Sequence, residues 1–73
     1  NNIKASFVLT EYNGRIYVSA RSIDEVNVQI IMERLGGGGH MNASGAQFDH
    51  TDMNEAISSL MKVIDDMIKG GDI

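Results

Sequence analysis

The sequence predicts a small α/β domain: a mixed sheet, made of a β-hairpin and a parallel third strand, with two helices packed on one face in the order β-β-α-β-α. Three observations carry that prediction. An Asn13-Gly14 pair separates two β-favouring runs, a Ser-x-x-Glu sequence opens an apolar stripe of helical period, and a second such stripe ends at Gly70-Gly71.

The first run extends from Ile3 to Tyr12 and the second from Arg15 to Ala20. Asn-Gly tolerates the left-handed backbone that a two-residue hairpin turn needs at both positions, so Tyr12 should pair with Arg15. Side chains alternate along a strand, and this register gathers Phe7, Leu9, Ile16, Val18 and Ala20 on one face, with Ser6, Thr10, Tyr17 and Ser19 on the other. The apolar face requires a cover.

Ser22-Ile23-Asp24-Glu25 reads as the capping box of the covering helix, the Ser22 hydroxyl accepting from the Glu25 N–H while Glu25 reaches back. Val28, Ile31, Met32 and Leu35 follow at i, i+3, i+4 and i+7, Val26 and Ile30 widen the stripe, and Gly36 supplies a left-handed stop. The expected helix is Ile23 to Leu35. After the glycine run, Ser44 to Phe48 makes the third strand, parallel to the second by the crossover rule. Thr51 or Asp52 then caps a helix reaching Lys69, with Met53, Ile57, Leu60, Met61, Ile64 and Ile68 as its core stripe. Its methionines read as core filling. Asp52, Glu55, Asp65 and Asp66 read as its solvated side.

The 73 residues suffice for one domain, spanning 1–73, near the size at which a single core holds without staples. They begin Asn1-Asn2-Ile3 without an initiator methionine, and a piece of a longer protein is the expectation. Cysteine is absent, which removes disulfides and thiolate metal sites and favours an intracellular origin. A net charge of −4 disfavours a broad grip on nucleic acid and leaves room for a small anionic ligand. No apolar run approaches the roughly 20 residues of a bilayer span, so no direct membrane contact is expected.

Gly36-Gly37-Gly38-Gly39-His40 is the feature most suggestive of function. Without side chains, the backbone N–H groups can approach an anion or a flat base, and His40 adds a directed donor. Helix termination accounts for Gly36 but not for the other three, whose ordering costs the most backbone entropy. The run lacks the Lys-Ser/Thr of a Walker A loop and follows a helix where a dinucleotide fingerprint follows a strand. With two histidines in the chain, His40 and His50, no complete two-metal cluster is visible, and His50 reads as a solvated or capping side chain.

Arg21-Ser22, Asn27-Val28-Gln29, Ile31-Met32-Glu33 and Leu35-Gly36-Gly37-Gly38-Gly39-His40, followed by Ala43, together resemble the associated C-terminal domain of the Asp-His-His (DHH) phosphoesterase superfamily. The Asn-Val-Gln-x-Ile-Met-Glu run is most similar to the membrane-bound cyclic-di-AMP phosphodiesterases of GdpP type. The resemblance implies a domain that closes over substrate, while metal ions, normally manganese, are held by a preceding DHH domain of the same protein. It implies that Gly37, Gly38, Gly39 and His40 contact the phosphate and nucleotide, with His40 as an assisting contact and no catalytic or metal-binding residue in this chain. Arg21 carries over as a phosphate or base contact, Ser22 as a cap or ligand and Asn27 as a reader of a base.

The implied ligand is a cyclic dinucleotide or a short oligonucleotide, and the implied setting is the cytoplasmic side of a membrane-anchored parent. A helix of about 13 residues spans roughly 20 Å, so Arg21 and the glycine run are expected to grip separate parts of that ligand. Two other readings are a nucleic-acid-binding appendage, of oligoribonuclease, exonuclease or alanyl-tRNA synthetase type, and a module for homodimerisation.

Overall fold

A computed structural model describes residues 4–23 and 26–72. Its elements are strands β1 (Ala5–Tyr12) and β2 (Arg15–Ser22), helix α1 (Val28–Arg34), strands β3 (Gly38–Gly39) and β4 (Ala43–Asp49), and helix α2 (Met53–Lys69). The fold class is the expected α/β arrangement with two helices, and the four strands form one sheet in the order β1-β2-β4-β3.

The hairpin forms as the sequence dictates. Asn13 and Gly14 both adopt positive φ, 52° and 75°, and Tyr12 pairs with Arg15. The resulting alternation buries Ile16, Val18 and Ala20 of β2 and leaves Tyr17, Ser19 and Arg21 on the opposite face.

The third long strand does not run parallel to β2. Residues 43–49 pair with β2 antiparallel, Ala43 opposite Arg21 and Asp49 opposite Arg15. The crossover rule still holds, for a different strand. β3 pairs antiparallel with β4, so β3 runs parallel to β2, and the chain then reverses at residues 40–42 to insert β4 between them. Two glycines with no side-chain pattern gave no sign that they were a strand.

Helix α1 is shorter than its periodicity predicts. The N–H of Ser22 donates to Asn42 O at 2.9 Å and that of Ile23 to Lys4 O at 2.8 Å, so the backbone expected to open the helix is still bonded to its neighbours in the sheet. Ser22 therefore ends β2 and does not cap α1; Asp24 and Glu25, the rest of the expected capping box, lie outside the described residues. The cap is Asn27, whose Oδ1 accepts from the Gln29 N–H at 3.0 Å. The C-terminus closes as expected at Gly36 (φ 86°), where Gly36 N–H donates to Glu33 O and Gly37 N–H to Met32 O at 2.8 Å, a Schellman arrangement.

Asp52 caps α2 by accepting from the Glu55 N–H at 2.8 Å. The helix turns a different stripe inward from the one expected: Ala56, Leu60 and Met67 are buried and Val63 and Ile64 partly so, whereas Ile57, Met61 and Ile68 are 43%, 59% and 57% exposed. Apolar residues cover a wide arc of α2, and the sheet selects the side where Ala56 permits close approach. The core, Val18, Ala20, Val28, Ile31, Met32, Leu60 and Met67, lies between the helices and one face of the sheet. Of the two stripe methionines expected to fill the core, Met61 is exposed and Met53 only partly buried; Met32 and Met67, fully buried, fill it instead.

Candidate functional site

The face of the sheet opposite the helices is built from four cross-strand rows: Ser6, Arg21 and Ala43; Val8, Ser19, Gly45 and Gly38; Thr10, Tyr17 and Gln47; Tyr12, Arg15 and Asp49. Pairing puts residues distant in sequence side by side at about 4.8 Å per strand. Arg21 lies beside Ala43, and Ala43 is joined to His40 by reciprocal backbone bonds, His40 N–H to Ala43 O at 2.8 Å and Ala43 N–H to His40 O at 3.3 Å. The backbones of Arg21 and His40 are thus about two strand spacings apart, roughly 10 Å. The expectation that a helix separates them fails, because the chain after α1 returns along the sheet to the end of β2.

The turn His40–Ala43 is the hub of this end. Besides the His40–Ala43 bonds, Asn42 O accepts from Ser22 and Met41 O accepts from the Val28 N–H at 3.0 Å, which brings the capped start of α1 against it. The structure therefore gathers Arg21, Ser22, Asn27 and His40 around one turn. Asn27 has its Oδ1 committed to the helix cap. Arg15 is paired with Asp49 at 3.2 Å and Arg34 with Asp72 at 3.5 Å, whereas Arg21, exposed on the open face, has no carboxylate partner among the described residues. A guanidinium left unpaired keeps its fork of donors for an anion.

The four glycines have different physical reasons. Gly36 holds the left-handed C-terminal position of α1. A Cβ on Gly37 would fall 2.0 Å from Gly45 O and 2.7 Å from Ala46 Cα, and one on Gly39, where φ is 141°, would fall 2.6 Å from Ser44 Cα. Both positions thus demand glycine for packing against β4, a cause that the sequence pattern did not reveal. Gly38 is the exception: a Cβ there would meet nothing within 4 Å, and its φ lies outside the left-handed range.

The open face also carries a concavity of about 590 Å³ lined by Tyr17, Ser19, Gly36, Gly37, Gly45 and Gln47 among others. Tyr17 and Gln47 gave no sequence signal, since a lone tyrosine and a lone glutamine on solvent-facing strand positions read as ordinary surface. His50 sits outside this site, between β4 and α2, in a left-handed conformation with φ 56°. Among the described residues no group of three or more His, Asp or Glu side chains is placed to hold a metal ion, and no helix is long and apolar enough to cross a membrane.

Residues 1–70 match the family model described as the DHHA1 domain. The chain is 44% identical over 72 residues, 97% of its length, to the cyclic-di-AMP phosphodiesterase GdpP of Geobacillus thermodenitrificans, and 42% identical over 69 residues, 93% of its length, to the cyclic-di-AMP phosphodiesterase PdeA of Listeria monocytogenes. It spans 11% and 10% of those two proteins. Among solved structures, an exopolyphosphatase-related protein from Bacteroides fragilis matches with a TM-score of 0.79 and 30% identity, covering 86% of this chain and 18% of that one.

Proposed function

The chain belongs to the DHHA1 domain family, and on that premise we propose that it is the substrate-gripping domain of a metal-dependent phosphodiesterase that opens cyclic di-AMP to linear pApA. A preceding DHH domain supplies the metal, manganese, and the bond cleavage. This chain supplies binding and orientation: Arg21 and the Gly37-Gly38-Gly39-His40 segment hold a phosphate, Ser22 and Asn27 support that end of the sheet, and the domain alone leaves cyclic di-AMP intact. The parent is read as membrane-anchored with this domain on the cytoplasmic side.

The observation that supports this reading is the convergence, at one end of the helix-free face, of an unpaired arginine and a histidine-bearing turn beside Gly38. Gly38 is the glycine of the run that folding does not require, and an open backbone is what a phosphate needs for close approach. A polyphosphate substrate is the second reading, favoured by the likeness to the exopolyphosphatase-related structure. It uses the same phosphate grip without a base.

The test is turnover of cyclic di-AMP and of polyphosphate by the full-length protein. Arg21→Ala should lower kcat/KM on cyclic di-AMP by roughly 10- to 100-fold, the loss of a charge-assisted contact. Gly38→Ala should raise KM without lowering the thermal midpoint, since its Cβ meets only space that a ligand would occupy. If both variants match the wild type, the assigned grip is wrong; preferential turnover of polyphosphate selects the second reading.

A further inference from the structure

Where β3 stops, the sheet has a gap at its edge. β3 pairs only Gly38 and Gly39 with β4, and the preceding Gly36-Gly37 lead away to α1, so among the described residues no strand lies beside Ala46, Gln47 and Phe48 on that side. The concavity of about 590 Å³ lies here, with Tyr17, Ser19, Gly45 and Gln47 from the open face and the Gly36-Gly37 backbone along its side. Gly45 has no side chain and Ser19 only a short hydroxyl, so the Tyr17 ring and the Gln47 amide are the large side chains that the open face brings to the concavity.

Gln47 is oriented by one side-chain contact on the exposed face. Its Nε2 donates to Asp49 Oδ1 at 3.0 Å, and the same oxygen is 3.2 Å from Arg15 Nε. An ionised carboxylate only accepts, so the amide nitrogen must face Asp49. Its Oε1 and second N–H are left without a partner among the described residues. Adjacent acceptor and donor on a planar amide complement the N6–H and N7 edge of adenine, while a tyrosine ring offers a stacking surface to any base. Guanine carries an acceptor at the position of the adenine N6–H, where it would meet the amide oxygen, and the Asp49 contact opposes turning the amide over to offer its N–H there.

We infer that the Tyr17–Gln47 concavity is a base pocket selective for adenine, in which Gln47 reads the base edge and Tyr17 stacks on the ring. The inference rests on the phosphodiesterase reading and extends it from the phosphate to the base. Gln47 lies four residue steps along β4 from Ala43, at the phosphate end, a distance of roughly 13 Å. That is comparable to the extent of one nucleotide from phosphate to base edge, and the row between them, Ser19, Gly45 and Gly38, leaves its path clear.

The experiment compares kcat/KM of the full-length protein on cyclic di-AMP, cyclic di-GMP and bis(p-nitrophenyl) phosphate, a diester without a base. Gln47→Leu and Tyr17→Leu should each lower the ratio of cyclic di-AMP to base-free diester about tenfold, with a much smaller fall for Tyr17→Phe, which keeps the stacking ring. Asp49→Ala frees the amide and should narrow the preference for cyclic di-AMP over cyclic di-GMP. Thermal midpoints check folding, and Gln47→Ala replaces Gln47→Leu if the latter fails to fold.

Unchanged ratios in both leucine variants overturn the pocket while leaving the phosphodiesterase reading intact. Failure of the wild type on all three diesters removes that reading instead. The pocket is then decided by calorimetry with AMP against ribose 5-phosphate: an AMP preference lost in Gln47→Leu supports it, and equal binding overturns it.

Discussion

The two faces of the sheet use the same strands for opposite purposes. On one side Ile16, Val18 and Ala20 are buried on the face that α1 and α2 cover; on the other Tyr17, Ser19 and Arg21, each one residue away, are exposed, with no element over them among the described residues. On the proposed function, stability and binding are interleaved in β2 at single-residue spacing, because alternate side chains of a strand point to opposite faces. Substitutions on the covered face should be felt as unfolding. Those on the open face should be felt as lost ligand.

Met32→Ala tests the covered face. It removes a fully buried side chain and should lower unfolding free energy by about 2–5 kcal/mol in chemical denaturation. Arg21→Ala on the open face should change it by no more than about 0.5 kcal/mol. Equal losses at the two positions would break the comparison.

Neighbouring glycines sharpen it. Gly37→Ala places a methyl against Gly45 O and Ala46 and should cost about 1–3 kcal/mol, whereas Gly38→Ala should be close to neutral. A reversed order, read from the thermal midpoints of the two variants, would mean that Gly38 is structural after all.

Smaller effects are expected at two further positions. His50→Gly relieves a left-handed residue between β4 and α2 and should stabilise the domain by up to about 1 kcal/mol, with the gain opposed by the greater freedom of glycine in the unfolded chain. Ser44→Ala removes a buried Oγ that has no hydrogen-bond partner and should be neutral or stabilising by less than about 1 kcal/mol. A clear loss of stability in Ser44→Ala would show that the hydroxyl has a partner in solution.

By itself the sequence determined the elements whose causes are local. Asn13-Gly14 specifies a two-residue turn, the turn sets the register, and the register decides which residues of β1 and β2 are buried. Asp52 and Gly36 mark helix ends because their side chain and their φ act within one turn of backbone. The glycine run was legible as a place for close approach to the backbone, and two of its members need that closeness for packing against β4.

Only the tertiary structure decided the rest, and each case has a non-local cause. α1 begins late because Ser22 and Ile23 bond across the sheet to Asn42 and Lys4. β4 runs antiparallel to β2 because the two-residue strand β3, invisible to any side-chain pattern, takes the parallel position. α2 presents Ala56, Leu60 and Met67 to the core because its apolar arc is wider than the sheet can cover. Arg21 meets the turn of His40, and Tyr17 meets Gln47, through sheet register. No spacing along the chain encodes those neighbours; strand pairing creates them.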